Sequence, residues 1–187
     1  MPLESALERQ PMHWIGDWVG KWAAMHPTRP AVHDAGNDTT YSYGDLNRRA
    51  NQVARWMTDA GLQAGDVVGL VCRNRIEAVD IYLACGKIGV ILSPLSFRLR
   101  PREINELLQR IRPNVLFHED VFDALVGELS LPDGLRTVRL ADTDSHYHAQ
   151  VLQGDAGEMN RPLSMEQTFL YIHTGGTTAT PKVCVVP

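Results

Sequence analysis

The chain has 187 residues, of which 44% are hydrophobic and 21% are charged, and its formal net charge is −4. This composition is typical of a globular domain with a real core, and the acidic balance argues against nucleic-acid binding through a basic face. No run of about 18 apolar residues predicts a transmembrane helix, and the first residues do not have the pattern of a secretory signal. The three cysteines, Cys72, Cys85 and Cys184, are far apart, so we expect reduced thiols and a cytoplasmic protein.

The first periodic pattern consists of three tryptophans, Trp14, Trp18 and Trp22, spaced four residues apart. This spacing places them on one face of a helix. Packing within the domain is the favoured interpretation, and contact with an acyl chain or a membrane surface is the alternative.

A longer amphipathic helix is predicted to begin after residue 42. Ser42 and Asp45 have the spacing of a capping box, and Gly61 is placed to end the helix. The apolar run at residues 67–72 then predicts a strand that is buried on both faces.

Two further helices and one strand follow. Asn74 is the predicted N-cap of a helix that ends near Gly89, and residues 90–92 form the next strand. Pro101 suits the first turn of a third helix. The apolar face of that helix consists of Ile104, Leu107, Leu108 and Ile111.

Strand and helix patterns continue to alternate in the second half of the chain. The predicted elements are a strand at 115–117, a helix at 121–129, a strand at 137–140 and a strand at 167–173. Residues 141–164 are polar and are predicted to form a surface connection with room for one short helix. The alternation predicts an α/β fold with a parallel sheet and helices on both faces.

A loop rich in glycine and threonine follows the last predicted strand. Its residues are Thr174, Gly175, Gly176, Thr177, Thr178, Ala179, Thr180, Pro181 and Lys182. Adjacent glycines let successive N–H groups point into one concavity that binds anions, threonine hydroxyls add neutral donors, and Lys182 adds a mobile positive charge. The loop is therefore a candidate polyphosphate site, and an ordinary turn of small polar residues is the alternative.

Two common nucleotide-binding motifs do not fit this loop. A Walker A motif needs glycine before the lysine and serine or threonine after it, whereas Pro181 precedes Lys182 and Val183 follows it. The dinucleotide-binding motif G-x-G-x-x-G is also missing from the sequence.

The loop resembles the phosphate-binding signature of the adenylate-forming (AMP-binding) superfamily, Ser/Thr-Gly-Thr-Thr-Gly-x-Pro-Lys-Gly. The matching residues are Gly176, Thr177, Thr178, Pro181 and Lys182. Ala179 and Val183 stand where the signature has glycine. Earlier segments, including residues 40–46 and 60–68, resemble the same family in the same order, so the resemblance covers nearly the whole chain.

The resemblance implies an acyl-CoA synthetase-like enzyme that joins a small-molecule carboxylate to ATP and then transfers the acyl group to a thiol. It implies ATP, Mg²⁺ and coenzyme A as cofactors, with Thr174, Thr177 and Thr178 contacting phosphate or metal-bound water and Lys182 neutralising charge. A domain that loads a carrier protein is one alternative, and a non-catalytic relative that binds a nucleotide or a partner is another.

The resemblance also implies that residues 1–187 are the N-terminal part of the adenylation domain, truncated after the phosphate-binding loop. The remaining catalytic segments would then lie in a C-terminal remainder of the chain. We therefore expect these residues alone to be inactive.

Two weaker signals surround the loop. His173 directly precedes it and is interpreted either as a structural histidine or as part of a nucleotide or acyl pocket. The group Asp142, Asp144, His146 and His148 lacks the i, i+4 histidine pair of a helical metal site and is interpreted as solvated.

Overall fold

The computed structural model describes residues 17–142, 147–164, 166–174 and 182–187. These residues form a six-stranded sheet and a separate two-stranded ribbon. The ribbon pairs β1 (Pro30–Asp34) with β2 (Thr39–Ser42) in antiparallel fashion. It leads directly into the first long helix.

The six-stranded sheet has the order β6-β5-β3-β4-β7-β8. Its strands are β3 (Val67–Val71), β4 (Ile91–Pro94), β5 (Val115–Glu119), β6 (Arg136–Leu140), β7 (Leu170–Thr174) and β8 (Lys182–Val186). Strands β3 to β7 are parallel to one another, which confirms the predicted parallel sheet. β8 differs because it is antiparallel to β7. The connection between them is too short for a crossover, so the chain has to return as a hairpin.

Helices connect the strands and cover both faces of the sheet. They are α1 (Trp18–Met25), α2 (Tyr43–Asp59), α3 (Ile76–Ile88), α4 (Pro101–Ile111) and α5 (Asp123–Gly127). A 3₁₀ turn at Asp120–Phe122 precedes α5, so the helix predicted at 121–129 is present in two pieces. Among the described residues, no helix has the length and apolar character needed to span a membrane.

The sheet separates two apolar clusters. On one face, α2 and α3 pack against alternate strand residues such as Leu70 and Phe117. On the other face, α4 and α5 pack against the intervening residues, including Val71 and Leu116. The predicted apolar face of α4 is buried in this second cluster. Both faces of the sheet are therefore covered, as the near-continuous apolar strands predict.

The predicted ends of α2 are correct, whereas the predicted start of α3 is wrong. Ser42 Oγ accepts a hydrogen bond from Asp45 N at 3.1 Å, and Asp45 Oδ2 accepts one from Ser42 N at 3.0 Å. Gly61 follows α2 with a φ of 93°, which glycine adopts without strain. Asn74 is not the cap of α3, because the helix begins one residue later, with Arg75 in the N-cap position.

The connection after β6 differs from the predicted surface position. Tyr147–Val151 forms a short π-helix, and the side chains of Tyr147 and Val151 are fully buried. The Tyr147 hydroxyl donates to Asp80 Oδ2 at 2.9 Å, and Gln52 donates to the Leu152 carbonyl at 2.6 Å. The connection is therefore partly a core element that covers α2 and α3.

The N-terminal helix α1 carries two of the three tryptophans, and Trp14 lies outside the described residues. Trp22 stacks on Tyr43, with ring centroids 5.7 Å apart, whereas Trp18 is 40% exposed. Val19, on α1 itself, is fully buried. Packing within the domain therefore accounts for Trp22.

Candidate phosphate-binding site

The hairpin of β7 and β8 brings together the two ends of the predicted loop. Thr174 is the last residue of β7, Lys182 is the first residue of β8, and they are direct partners in the antiparallel ladder. Direct partners carry their side chains on the same face of a sheet. Both residues are exposed. The rest of the predicted site, residues 175–181, lies outside the described residues.

This hairpin opens at the carboxyl end of the parallel strands. β7 is parallel to β4, which is parallel to β3, so all three end at the same edge of the sheet. Ligands of open α/β sheets bind outside this edge. The position of Thr174 and Lys182 is therefore the one expected for a loop that holds a ligand.

A cavity of about 390 Å³ lies at the same edge. Its lining consists of Leu70, Cys72, Arg73, Asn74, Ala78, Tyr82, Leu92, Pro94, Leu95, Ser96, Phe97 and His173. The structure thus places His173 in the wall of a cavity, next to the first residue of the loop. Its Nδ1 atom is buried and has no hydrogen-bond partner among the described residues.

The cavity wall contains a thiol that is not activated. Burial raises the pKa of Cys72 to about 12, and the Glu119 carboxylate adds to this effect. The thiol is therefore neutral near pH 7 and is a poor nucleophile. We interpret Cys72 as a wall residue.

An ion pair borders the cavity. Glu119 is almost fully buried and accepts a hydrogen bond from Arg73 Nε at 2.9 Å and another from Arg73 N at 2.8 Å. Burial alone would raise the pKa of Glu119, but the bonds from Arg73 outweigh burial and lower it. No local sequence pattern indicates this pair, because Arg73 follows β3 whereas Glu119 is the last residue of β5.

The Asp142–His148 group, which follows β6, does not form a metal site in the part of the chain that is described. Asp142 pairs with Arg75 at 3.2 Å, and His148 Nε2 lies 3.6 Å from Glu77 Oε1. No cluster of three or more metal-binding side chains occurs within residues 17–142, 147–164, 166–174 and 182–187. Asp144 and His146 lie outside these ranges.

Solved structures share this architecture. A Mycobacterium tuberculosis fatty acyl CoA synthetase aligns with a TM-score of 0.82 and 22% identity, covering 94% of this chain and 34% of that one. The N-terminal domain of FACL13 from the same organism aligns with a TM-score of 0.79 and 22% identity, covering 94% of this chain and 44% of that one. At these identities the similarity shows the fold, which is that of the N-terminal domains of acyl-CoA synthetases.

Curated proteins show similarity at the level of sequence. A medium/long-chain-fatty-acid–CoA/3-oxocholest-4-en-26-oate–CoA ligase of Mycolicibacterium smegmatis is 31% identical, over 83% of this chain and 30% of its own length. A fatty acid–[acyl-carrier-protein] ligase of Streptomyces coeruleorubidus is 29% identical, over 88% of this chain and 31% of its own length. The chain thus spans about 30% of the length of the curated relatives it matches.

The family model described as AMP-binding enzyme matches residues 19–187. This match includes every described strand of the sheet and both ends of the candidate loop. The chain belongs to the AMP-binding enzyme family.

Proposed function

We propose that this chain forms the polyphosphate-binding part of an ATP-dependent ligase that activates a carboxylic acid as an acyl-adenylate and then forms a thioester. The observation that carries the proposal is the pairing of Thr174 with Lys182 at the carboxyl edge of the parallel strands. This pairing holds the two ends of a glycine- and threonine-rich loop together. The names of the relatives, which are ligases of fatty acids to CoA or to a carrier protein, support the same reaction class.

In this proposal the loop holds the β- and γ-phosphates of ATP while the carboxylate attacks the α-phosphorus. The carbon–oxygen–phosphorus link of the acyl-adenylate forms, and pyrophosphate leaves. A thiol then displaces AMP from the acyl group. The chain contributes mainly position and charge, because little covalent chemistry falls to the protein in such a transfer.

Lys182 and Thr174 have distinct roles here. The exposed Lys182 ammonium group neutralises negative charge that develops on the leaving pyrophosphate. The Thr174 hydroxyl, on the same face of the ladder, donates to a phosphate oxygen. Threonine and phosphate oxygens are hard ligands of the kind Mg²⁺ prefers, and the ion would supply further neutralisation at this edge.

The proposal specifies the thiol acceptor and the carboxylic acid by chemical class. Coenzyme A is the favoured acceptor, and a carrier protein is the alternative that one of the relatives exemplifies. The acid is a small-molecule carboxylate. The test is pyrophosphate release from ATP by the protein that carries this chain, measured across a panel of carboxylic acids with and without coenzyme A.

A non-catalytic nucleotide-binding relative is the second candidate. It is favoured by Ala179 and Val183, which replace two glycines of the family signature. Val183 lies within β8 and pairs with His173, a position that suits a β-branched residue. Tight binding of ATP without pyrophosphate release for any acid in the panel would favour this candidate over the ligase.

A further inference from the structure

Helix α2 holds the backbone of the connection that leads to β7. Residues 152–160, which we call the strap, all lie in the described part of the chain and contain turns and bends but no helix or strand. Main-chain carbonyls of the strap accept hydrogen bonds from side chains of α2. Gln52 Nε2 donates to the Gly154 carbonyl at 3.0 Å. Arg55 Nε donates to the Asp155 carbonyl at 3.2 Å. One face of α2 therefore fixes the path of the strap.

Asn51 makes the central contact between α2 and the strap. This residue is only 2% exposed. Its Nδ2 atom donates to the Ala156 carbonyl at 3.2 Å, and its Oδ1 atom accepts from Met159 N at 3.2 Å. A carboxamide supplies both the donor and the acceptor that these two main-chain groups need. Because a buried polar group that loses its partner is costly, Asn51 fixes the register of the strap on α2.

After the strap, the chain follows the end of α3 into β7. Arg161 N donates to the Lys87 carbonyl at 2.9 Å. Gln167 Nε2 donates to the Gly89 carbonyl at 2.9 Å, three residues before β7 begins. The strap and these two bonds together set the position at which the chain enters the sheet.

β7 is joined to the parallel sheet over a short distance. Leu92 N, in β4, donates to the Phe169 carbonyl at 3.0 Å. Alternate amides of a strand face the same neighbour, so the next β4 donor towards β7 would be at position 94, where proline has no N–H. The Tyr171 carbonyl accepts from Ser93 Oγ at 3.3 Å. Because proline interrupts the ladder, the position of β7 depends strongly on the strap.

We propose that Asn51 is a positioning residue for the candidate phosphate-binding loop. It fixes the strap, the strap fixes the start of β7, and β7 ends at Thr174, the first residue of the loop. Thr174 carries its ladder partner Lys182 with it. The catalytic consequence rests on the proposed function, whereas the placement of β7 requires no nucleotide.

Amide hydrogen exchange without nucleotide tests the placement of β7 in the protein that carries this chain. Leu92 N faces β7, whereas Ile91 N donates to the Asp66 carbonyl at 2.7 Å on the β3 side, so these two amides report on opposite sides of β4. In Asn51→Ala, exchange of the Leu92 amide is expected to rise at least about fivefold, the scale of one lost buried hydrogen bond, while that of Ile91 stays within about twofold.

Two further variants serve as controls. Ser93→Ala removes a direct bond between β4 and β7, so it should raise Leu92 exchange in the same selective way. Asn105→Ala is the matched control, since Asn105 lies on α4, on the face of the sheet opposite α2, and its Oδ1 atom accepts from Ser130 N at 2.8 Å. It should leave the ratio of the Leu92 and Ile91 exchange rates as in the wild type.

Gln52→Ala is a milder variant that serves if Asn51→Ala does not fold. Gln52 is half-buried and also holds the strap, so its loss should raise Leu92 exchange selectively, by a smaller factor. Wild-type exchange of Leu92 in Gln52→Ala would count against the strap as the element that places β7.

Steady-state kinetics of pyrophosphate release test the catalytic consequence. Asn51→Ala is expected to raise KM for ATP several-fold, because displaced Thr174 and Lys182 side chains bind polyphosphate less well. A variant that only lost folded protein would show a lower kcat with KM unchanged. If the wild type releases no pyrophosphate, the proposed function fails, whereas the exchange rates still decide the role of Asn51.

Three outcomes would overturn the proposal. Equal rises of Leu92 and Ile91 exchange in Asn51→Ala would show a general loosening of the fold. Faster exchange at Met159 beside an unchanged Leu92 amide would show that the strap detaches without moving β7. An unchanged KM for ATP, in a protein whose wild type releases pyrophosphate, would remove the link between Asn51 and the loop.

Discussion

The Lys87 ammonium group lies 2.5 Å from the Asp17 carboxylate, and the lysine side chain is fully buried. Glu158 Oε1 lies 2.5 Å from the same nitrogen. The three residues belong to the start of α1, the end of α3 and the connection before β7. Because burial of charge is costly, this cluster is stable only when all partners are in place. It therefore couples the position of the connection to that of α3.

Replacing Lys87 with alanine is expected to destabilise the fold strongly. The change leaves the Asp17 carboxylate buried without its cation, which typically costs about 3–5 kcal/mol of unfolding free energy. Urea denaturation followed by circular dichroism measures the loss.

Arg102→Ala provides the control for the Lys87 variant. This arginine also forms an ion pair, but its side chain is 90% exposed, so its removal is expected to change the unfolding free energy by less than about 0.5 kcal/mol. An unchanged urea midpoint for Lys87→Ala would show that the cluster is not needed for stability.

The sequence predicted the elements that depend on local patterns. The capping box is predicted from the spacing of Ser42 and Asp45, which are three residues apart. The apolar face of α4 is predicted from the helical spacing of its hydrophobic residues. The Tyr147–Asp80 hydrogen bond joins residues 67 positions apart, so no local pattern indicates that the connection is partly buried. The apolar pattern of β8 likewise does not indicate its direction, which is antiparallel because β8 follows β7 in a hairpin.

The candidate site likewise contains residues that a local motif predicts and residues that only the fold brings together. Thr174 and Lys182 were predicted because the loop has a contiguous motif, and the structure pairs the two residues. The cavity lined by His173 is not predicted as a whole, since its wall is assembled from three strand ends and one helix. His173 alone was recognised as a candidate, through its position next to the loop.

Replacing Lys182 with alanine is expected to weaken polyphosphate binding. A charge-assisted hydrogen bond typically contributes about 1.5–3 kcal/mol, which corresponds to a roughly ten- to hundredfold loss of affinity. Isothermal titration of ATP or tripolyphosphate with Mg²⁺ measures the change. The stability of the fold should barely change, because Lys182 is exposed.

Lys21→Ala is the matched control for Lys182. Lys21 is an exposed lysine on α1, far along the chain from the loop, so its loss removes the same charge without touching the site. Equal affinities for the two variants would show that Lys182 contributes only to net charge. The loop would then be an ordinary turn.

The stability of the fold is expected to fall in acid. Burial alone would raise the pKa of Glu158, but hydrogen bonds from Lys87, Asn47 and Asn51 lower it below the ordinary value of 4.5. A lowered folded-state pKa means that this carboxylate stabilises the fold above about pH 4.5 and loses that contribution as the pH falls through the folded-state value. Urea midpoints measured between pH 7 and pH 3 follow this loss.

Two variants distinguish the contribution of Glu158 to the loss of stability in acid from that of the other carboxylates. Glu158→Gln should be less stable than the wild type at pH 7 and should lose less on acidification, because glutamine does not titrate. Glu128→Gln, at an exposed position after α5, should keep the wild-type slope. Identical slopes for the wild type and Glu158→Gln would contradict the assignment.

The β8 edge is expected to make the chain self-associate. β8 is the last strand on its side of the sheet among the described residues, and its Val185 side chain is 61% exposed. An exposed apolar edge strand is a template for pairing with another chain. Sedimentation velocity over a range of protein concentrations should show a concentration-dependent increase in mass.

Val185→Lys should suppress this association, because a charged side chain on an edge strand opposes edge-to-edge pairing. Val121→Lys is the control, since Val121 is 56% exposed but lies in the 3₁₀ turn before α5. The control should associate like the wild type, because Val121 lies outside β8, although it changes the net charge by the same amount. If both variants reduce the mass equally, net charge rather than the β8 edge governs association. A wild-type chain that stays monomeric at every concentration, with no binding of a hydrophobic dye, would remove the edge as an interaction surface.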